Sequence, residues 1–411
     1  MGADEQRLVN PMPPFSGSEN WRVPEEPPIP FGLTAEALSA AEAESDSGSI
    51  AAASRLRTRF GPELAAAAAS QVELRRKART KFGNAADRMF FTREGLEQAS
   101  RPEVADYHAQ RFVEQGVRRV VDLGCGIGAD AMAFARAGLE VIAVERDQTT
   151  AAVAAANLAG LAQVVCADAE VDVGPFLASG SAVFCDPARR TASGRVWRVE
   201  DFRPSWPFVL RLLDRTRVAA VKLGPALPHR LIPAAVEAEW ISHRGETVEV
   251  CLWGSRTSTG RRSALVLPRH RLIVPSESVE LRISRPLRYL YEPDGAVIRA
   301  GAISILAEAL GAALLDPSIA YLTSDQLTTT PYAAAFAVEQ VLPYDLRVIR
   351  SWVQEAKLGT LEIKKRGLDV DPAQLRRQLR PRGPAKATLI LSRTIEGAKA
   401  IVVNRVPPGT P

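Results

Sequence analysis

The most constraining feature of this 411-residue sequence is the run Val121-Asp122-Leu123-Gly124-Cys125-Gly126-Ile127-Gly128. A mostly apolar, β-branched stretch, Arg119–Leu123, leads into D-x-G-x-G-x-G, and the Ala-rich stretch Ala129–Ala137 follows. That order predicts a strand, a tight turn and a helix. The glycines let the chain turn sharply and let a ligand approach the backbone, with the N-terminus of the following helix facing that ligand. The spacing is not the dinucleotide fingerprint G-x-G-x-x-G, because the third glycine comes one residue early and an acid stands two residues before the first. No pyrophosphate need be cradled here, and the acid suits a ligand with a cationic end. The alternative is a tight strand–helix turn that holds nothing.

The pattern around this run repeats. Glu140–Glu145, Gln163–Ala167, Ala182–Cys185 and Val218–Leu223 read as further short, buried strands, with helices expected at Thr149–Leu158 and Trp206–Asp214. Alternating β and α elements of this kind form a parallel sheet with helices on both faces. Glu239–Ser242 and Thr247–Trp253 flank a turn at Arg244-Gly245 and read as a closing antiparallel hairpin. Three acids stand at or just past the strand ends: Glu145, where a carboxylate can take ribose hydroxyls; Asp168, where a side chain can reach an adenine amino group; and Asp186, followed by Pro187. The carboxyl ends of the strands are the edge where open α/β sheets bind ligands. Each acid also has a plainer reading, as a surface charge for Glu145, a cap for Asp168 and a turn for Asp186-Pro187.

At these residues the sequence resembles the class I S-adenosylmethionine-dependent methyltransferases, from about Arg101 to Trp253. The resemblance implies an α/β fold: a doubly wound, Rossmann-like methyltransferase sheet with a closing antiparallel hairpin. It implies S-adenosyl-L-methionine as cofactor, with Asp122, Gly124, Gly126 and Gly128 along the methionine part, Glu145 on the ribose and Asp168 and Ala169 at the adenine. It places Asp186 and Pro187 beside the transferred methyl group, as the catalytic pair. The stretch Phe90–Glu97 is similar to the segment that precedes the fold in trimethylguanosine synthase-like enzymes, which puts Phe91 and Thr92 over the cofactor. The run Leu358–Val370 resembles the THUMP-like domain attached to a bacterial branch of these enzymes, and THUMP-type domains are associated with RNA.

One departure bears on the substrate. Enzymes that methylate exocyclic base amines carry a [DNS]-P-P-[FYW] tetrad, whose aromatic residue stacks the base. Here the tetrad is Asp186-Pro187-Ala188-Arg189. The D-P-P-R form of the uridine C5 enzymes is closer at Arg189, but that chemistry needs a cysteine nucleophile. The loop after the fifth strand reads Lys222-Leu223-Gly224-Pro225 and holds none. Arg189 and Arg190 read either as solvated charges or as holders of a phosphate or base edge. Trp197, Phe202, Trp206 and Phe208 follow this loop as core residues, or as a platform for an unpaired base.

Charge is unevenly spread. The net charge is +5, yet residues 1–54 hold nine acids against two Arg, residues 55–93 hold ten basic groups against three acids, and residues 343–406 hold fourteen against six. Two basic blocks suggest an anionic partner, with nucleic acid first. Within the second block Lys364, Lys365 and Arg366 form the candidate phosphate patch, or the solvent face of a strand. An Arg-rich coding bias is the competing reading, since 8 of the 52 basic residues are Lys.

The expected organisation is a Pro-rich arm (1–30, seven prolines in 11–30), a helical N-terminal region (31–100), the methyltransferase domain (101–270), a connecting region (271–335) and a small, basic, THUMP-like α+β domain (336–411). Residues 286–335 are expected to hold one helix, Ile303–Leu314, among loops. No apolar run is long enough to span a membrane, and the start, MGADEQRLVN, has no apolar signal core. Four cysteines without paired spacing (Cys125, Cys166, Cys185, Cys251) suggest a reduced, cytoplasmic setting, where they read as small apolar fillers. The four histidines receive no role, and no metal site is expected. Nothing in the pattern sets an oligomeric state. The function expected is methyl transfer to RNA at a base nitrogen. The alternatives are a small-molecule or protein acceptor, or a protein that binds cofactor and RNA without catalysis.

Overall fold

The computed structural model describes residues 29–44, 49–172, 177, 181–189, 201–255, 258, 260–274 and 280–407. The chain divides into two compact units, Met1–Val221 and Lys222–Pro411.

In the first unit, α1 (Ala35–Ala43), α2 (Ile50–Phe60) and α3 (Pro62–Phe82) form a helical layer. Thr34 and Ser49 cap α1 and α2 by accepting from Ala37 N–H and Ala52 N–H. Proline opens α3 at its first turn, where its missing N–H is no loss. Small and branched residues close this layer: Leu38, Ala41, Leu56, Ala65, Ala68 and Val72 are all buried. Then come α4 (Arg93–Gln98) and α5 (Pro102–Glu114), followed by the alternating pattern: β1 (Arg119–Leu123), α6 (Ala129–Arg136), β2 (Glu140–Glu145), α7 (Gln148–Asn157), β3 (Gln163–Cys166), α8 (Ala169–Asp172), β4 (Ala182–Cys185), the ribbon β5 (Ala188–Arg189) and β6 (Phe202–Arg203), α9 (Trp206–Arg215) and β7 (Val218–Leu223).

The strand order β3-β2-β1-β4-β7 is parallel throughout, with Val121 opposite both Ile142 and Val183. Chain order reverses at β1, so β1 and β4 flank the switch point of the sheet. Four of the five strands are almost wholly buried along β1, β4 and the inner part of β2 and β7, as strands covered on both faces should be. Behind the sheet Phe112 and Phe134 pack edge to face at 5.5 Å, and Phe134 and Phe184 at 5.2 Å, joining α5, α6 and β4.

In the second unit, β8 (Glu237–His243) and β9 (Glu246–Ser255) form the expected hairpin, turning at Arg244 and Gly245 with positive φ. The strand β10 (Arg262–Val266) runs parallel to β8, and β11 (His270–Ile273) antiparallel to β10. Next come β12 (Tyr289–Pro293), α10 (Gly295–Ala300), α11 (Ile303–Leu310), β13 (Ala313–Asp316), β14 (Ile319–Ser324), β15 (Ala333–Pro343), α12 (Leu346–Glu355), β16 (Leu358–Arg366), α13 (Pro372–Leu379), β17 (Ala385–Thr394) and β18 (Gly397–Arg405).

Here the structure departs from the sequence expectation. Residues 286–335 hold three strands and two short helices, where one helix among loops was expected. The strands β12, β13 and β14 belong to the same seven-stranded sheet as the C-terminal strands, in the order β13-β14-β12-β15-β18-β17-β16. Their pairings with β15 and with each other, such as Leu290 with Phe336 and with Thr323, supply what local pattern did not. The helices α12 and α13 cover one face of this sheet over Leu361, Ile363, Leu389, Leu391 and Val402. The opposite face buries Leu290, Tyr321, Phe336, Ile390 and Ile401. Among the described residues no helix is long and apolar enough to cross a membrane.

Candidate functional site

The glycine run leaves β1 and enters α6 with Gly124, Gly126 and Gly128 at φ values of 77°, 56° and 86°. Side-chain-bearing residues rarely adopt these angles, which accounts for the residue type at all three positions. The turn is tied to its neighbours through the backbone. Gly124 N–H and Cys125 N–H donate to Val144 O on β2, and Asp186 N–H donates to Leu123 O. A Cβ on Gly124 would stand 3.2 Å from Asp186 O, so the turn and the end of β4 touch backbone to backbone. A Cβ on Gly126 would meet no protein atom within 4 Å. The loop is open at that point.

Glu145, at the end of β2, accepts from Gly126 N–H through Oε2 at 3.1 Å and from Asp147 N–H through Oε1 at 2.9 Å. Its carboxylate is therefore fixed against the glycine run, and each oxygen keeps a further lone pair for hydroxyl donors. Asp122 lies in β1 just before the run, with its side chain buried. Asp168 follows β3, accepts from Glu170 N–H at 2.9 Å and stands 3.9 Å from Arg146 Nη1. Ala169 is buried at the start of α8. Asp186 is half-buried and Pro187 buried at the end of β4. Thus four adjacent strand ends present Asp122 with the glycine turn, Glu145, Asp168 and Asp186 along one edge of the sheet.

The Phe90–Glu97 segment packs onto the same turn. Thr92 caps α4 by accepting from Gly95 N–H at 2.9 Å, and Gly95 lies so close to Ile127 that a Cβ there would overlap the isoleucine side chain. Two residues that sequence reasoning missed hold the segment. Asn157, the last residue of α7, accepts from Phe90 N–H at 2.8 Å and donates to Phe90 O at 3.0 Å and to Ile127 O at 2.9 Å. Gln71, on α3, exchanges a matching pair of bonds with Phe91, at 2.7 and 3.0 Å. The polar residues lie 67 and 20 positions from their partners, so no local signal marks them. Glu170 was also missed: its carboxylate accepts from Ser205 N–H and Oγ–H and so fixes the start of α9. Below the turn, Asp130 in the first turn of α6 accepts from Ser100 Oγ at 2.6 Å and lies 3.1 Å from His108 Nδ1.

The cysteines divide. Burial pushes the Cys125 thiol well above its ordinary pKa, helped by the Asp122 and Glu145 carboxylates. Burial does the same for Cys185, helped by Asp186, Asp122 and Glu170. Neither is a nucleophilic thiolate near neutrality. Cys251 is buried too, but Cys166 is exposed, against the expectation that all four are apolar fillers. All four are free thiols.

After Pro187 the chain forms a short antiparallel ribbon in which Arg189 pairs with Phe202. Arg190 and Trp197 lie outside the described residues, as does the side chain of Arg189. Phe202, Trp206 and Phe208 are buried and act as core, with the Phe202 and Trp206 rings 5.9 Å apart. In the second unit, the alternation of β16 separates the three-residue basic patch. Lys364 and Arg366 share one face and Lys365 takes the other. Lys364 is held by Glu292 at 2.6 Å and sits 5.8 Å from the centroid of Phe336, while Arg366 lies over Tyr321.

The donor set fits a molecule with an ammonium end, a ribose diol and an adenine amine: a buried carboxylate, an oriented carboxylate and an exposed carboxylate occur in that order beside an open glycine turn. Comparison with known proteins agrees. The chain is 32% identical over 365 residues, 85% of its own length and 99% of the other's, to a Mycobacterium tuberculosis protein of strain CDC 1551 / Oshkosh named an uncharacterized S-adenosylmethionine-dependent methyltransferase. The H37Rv strain's protein of the same description matches to the same extent. Residues 333–405 match the family described as THUMP domain-like, and residues 35–78 match a domain of unknown function. The crystal structure of a putative methyltransferase from Porphyromonas gingivalis W83 superposes with a TM-score of 0.73 at 24% identity, over 90% of this chain and 98% of that one, which shows a common fold.

Proposed function

Because this chain belongs to the S-adenosylmethionine-dependent methyltransferases, we propose that it methylates RNA, at a base nitrogen, from the strand-end site described above. The observation that carries the site is the convergence of Asp122, Glu145, Asp168 and Asp186 with the open Gly126 turn on one sheet edge. S-adenosylmethionine supplies an electrophilic methyl group on a sulfonium when bound. Asp122 would hold the ammonium end, Glu145 would accept from the two ribose hydroxyls, and Asp168 would accept from the adenine amine with Ala169 beside the ring. Thr92 and Phe91, latched by Asn157 and Gln71, close the site and exclude water.

Asp186 accepts a hydrogen bond from the acceptor N–H and so aims the nitrogen lone pair. On taking up the methyl group the nitrogen would lose its proton, which that carboxylate would pass to solvent. Pro187 fixes the backbone behind it. Arg189 and Arg190 hold the adjoining phosphate or base edge. The raised thiols of Cys125 and Cys185 argue against attack by either at a pyrimidine carbon. RNA is favoured by the THUMP domain-like match at 333–405 and by the basic surplus of the same region.

The test is transfer of labelled methyl from S-adenosylmethionine to fractionated RNA from a strain lacking this protein, beside an Asp186→Ala control. We expect label in one RNA fraction, and turnover lower by roughly 10²–10³ in the control with cofactor affinity within several-fold. Equal loss of turnover and cofactor affinity would remove Asp186 from the acceptor side. The absence of an aromatic residue in Asp186-Pro187-Ala188-Arg189 favours one second reading, a small-molecule or protein acceptor. Labelled protein or metabolite with unlabelled RNA would establish it.

A further inference from the structure

The fourteen basic residues of 343–406 are not equivalent. Lys364, Arg393 and Lys399 are spent on Glu292, Asp316 and Glu396. The other eleven, exposed Lys365 among them, have no ion pair among the described residues, and four of them gather at the far ends of α12 and α13. Lys357, Arg377, Arg380 and Arg382 are exposed, and none takes part in an ion pair among the described residues.

Two of these cations stand in a conformation that side-chain-bearing residues avoid. Lys357, just past α12, and Arg380, which ends α13, both have φ of 51°. Glycine is the usual residue at such a helix end, and this chain uses it after α10 and α11, at Gly301 and Gly311. A cation near a helix C-terminus also complements the macrodipole, but Arg376 and Arg377 already do so from within the last turn of α13. Helix stability therefore does not call for Arg380, whereas α12 has no basic residue in its own last turn and Lys357 also serves that helix end.

The backbone gathers these residues at one corner. Gly383 N–H donates to Leu358 O at 2.9 Å and Ala385 N–H to Lys357 O. A Cβ on Gly359 would overlap Gly383 O, and one on Gly383 would overlap Lys357 O, so the two segments touch along bare backbone. Arg350 Nη2 donates to Gln378 O at 3.0 Å and ties α12 to the end of α13. Pro381 and Pro384 stiffen the link Arg380-Pro381-Arg382-Gly383-Pro384. The outcome is a pre-ordered corner with uncompensated charge, in which left-handed backbone is retained beneath two cationic side chains.

We propose that this corner, Lys357 with Arg380 and Arg382, is where the C-terminal module grips the phosphate backbone of RNA, in place of the Lys364–Arg366 stretch of β16. This rests on the reading of RNA as the substrate. Phosphate contacts of this kind position a nucleic acid without reading its sequence. They leave a salt-dependent signature, because each neutralised phosphate releases counterions.

The left-handed positions permit a clean test, since glycine removes the charge and suits the backbone. The full-length Lys357→Gly/Arg380→Gly variant is compared with wild type and with Lys364→Ala/Arg366→Ala, using a fluorescent single strand and a fluorescent hairpin of RNA, each about 20 nucleotides, over a range of salt. The glycine variant should unfold no earlier than wild type, bind S-adenosylmethionine unchanged, and bind RNA roughly tenfold more weakly, with a salt slope shallower by about 1.4 to 2. Wild-type RNA affinity and slope in the glycine variant would overturn the corner while leaving the RNA reading intact, as would a loss confined to Lys364→Ala/Arg366→Ala. Failure of wild type to bind either RNA, with cofactor binding retained, would overturn both.

Discussion

Among the places where this protein holds the backbone at positive φ, two fill it with opposite residue types. The turn after β1 uses Gly124, Gly126 and Gly128, whereas the corner beyond α12 and α13 uses Lys357 and Arg380. In the first, bare backbone is the working surface: Gly126 N–H is bonded to Glu145, Gly124 and Cys125 N–H to Val144 O and Gly128 N–H to Cys125 O, and a side chain at Gly126 would enter the open space. In the second, the side chain is the working surface, and the conformation is accepted at about 1 kcal/mol per residue. The contrast separates binding by main chain from binding by charge, and it can be attacked from both ends.

The largest effect is expected at Gly126→Val. A Cβ there meets no protein atom within 4 Å, so what it obstructs is the ligand, and a β-branched residue at φ 56° distorts the turn as well. Calorimetric titration should show S-adenosylmethionine affinity weakened at least roughly 100-fold, about 2.7 kcal/mol. Retained affinity would break the main-chain side of the comparison. Next is Asn157→Ala, which strips partners from Phe90 N–H, Phe90 O and Ile127 O. It should cost about 2 kcal/mol in denaturant unfolding and raise KM for the cofactor more than it lowers kcat. A stability loss with unchanged KM would uncouple the Phe90 segment from the turn.

On the charge side, Arg380→Gly alone should raise stability by up to about 1 kcal/mol in the same unfolding measurement. A loss would mean that Arg380 holds the helix end. The smallest effect concerns the buried thiols. The folded state keeps Cys125 and Cys185 protonated to higher pH than the unfolded chain does. Above the ordinary thiol pKa the unfolded state therefore binds fewer protons, and stability falls as pH rises. The expected loss is about 0.8 kcal/mol per thiol at pH 9, absent below about pH 8 and relieved in a Cys125→Ala/Cys185→Ala variant. A flat profile between those values would show both thiols shielded equally in the two states.

What was legible in the sequence follows the same division. The strands β1, β2, β4 and β7 and the acids at their ends stood out because a strand buried on both faces is a short apolar run, and a main-chain turn demands glycine at fixed places. The strands β12 to β14 did not, since the partners of β12 are 31 to 48 residues away and include the Ala-rich start of β15. Lys364 and Lys365 read as one patch because adjacency in sequence hides the alternation that sends them to opposite faces. Cys166 looked like its three buried counterparts because the edge strand β3 resembles the inner ones in composition while exposing that position. Asn157 was invisible: an asparagine at a helix end reads as an ordinary terminator.

The Asn157 latch also sets an order of events during synthesis. Phe90 and the three helices before it leave the ribosome first, yet the amide group that satisfies Phe90 is encoded 67 residues later. At ordinary elongation rates that interval lasts roughly 3 to 13 seconds. Through that time the N-terminal helices wait with two main-chain groups unmet, so their final docking is timed by the arrival of α7.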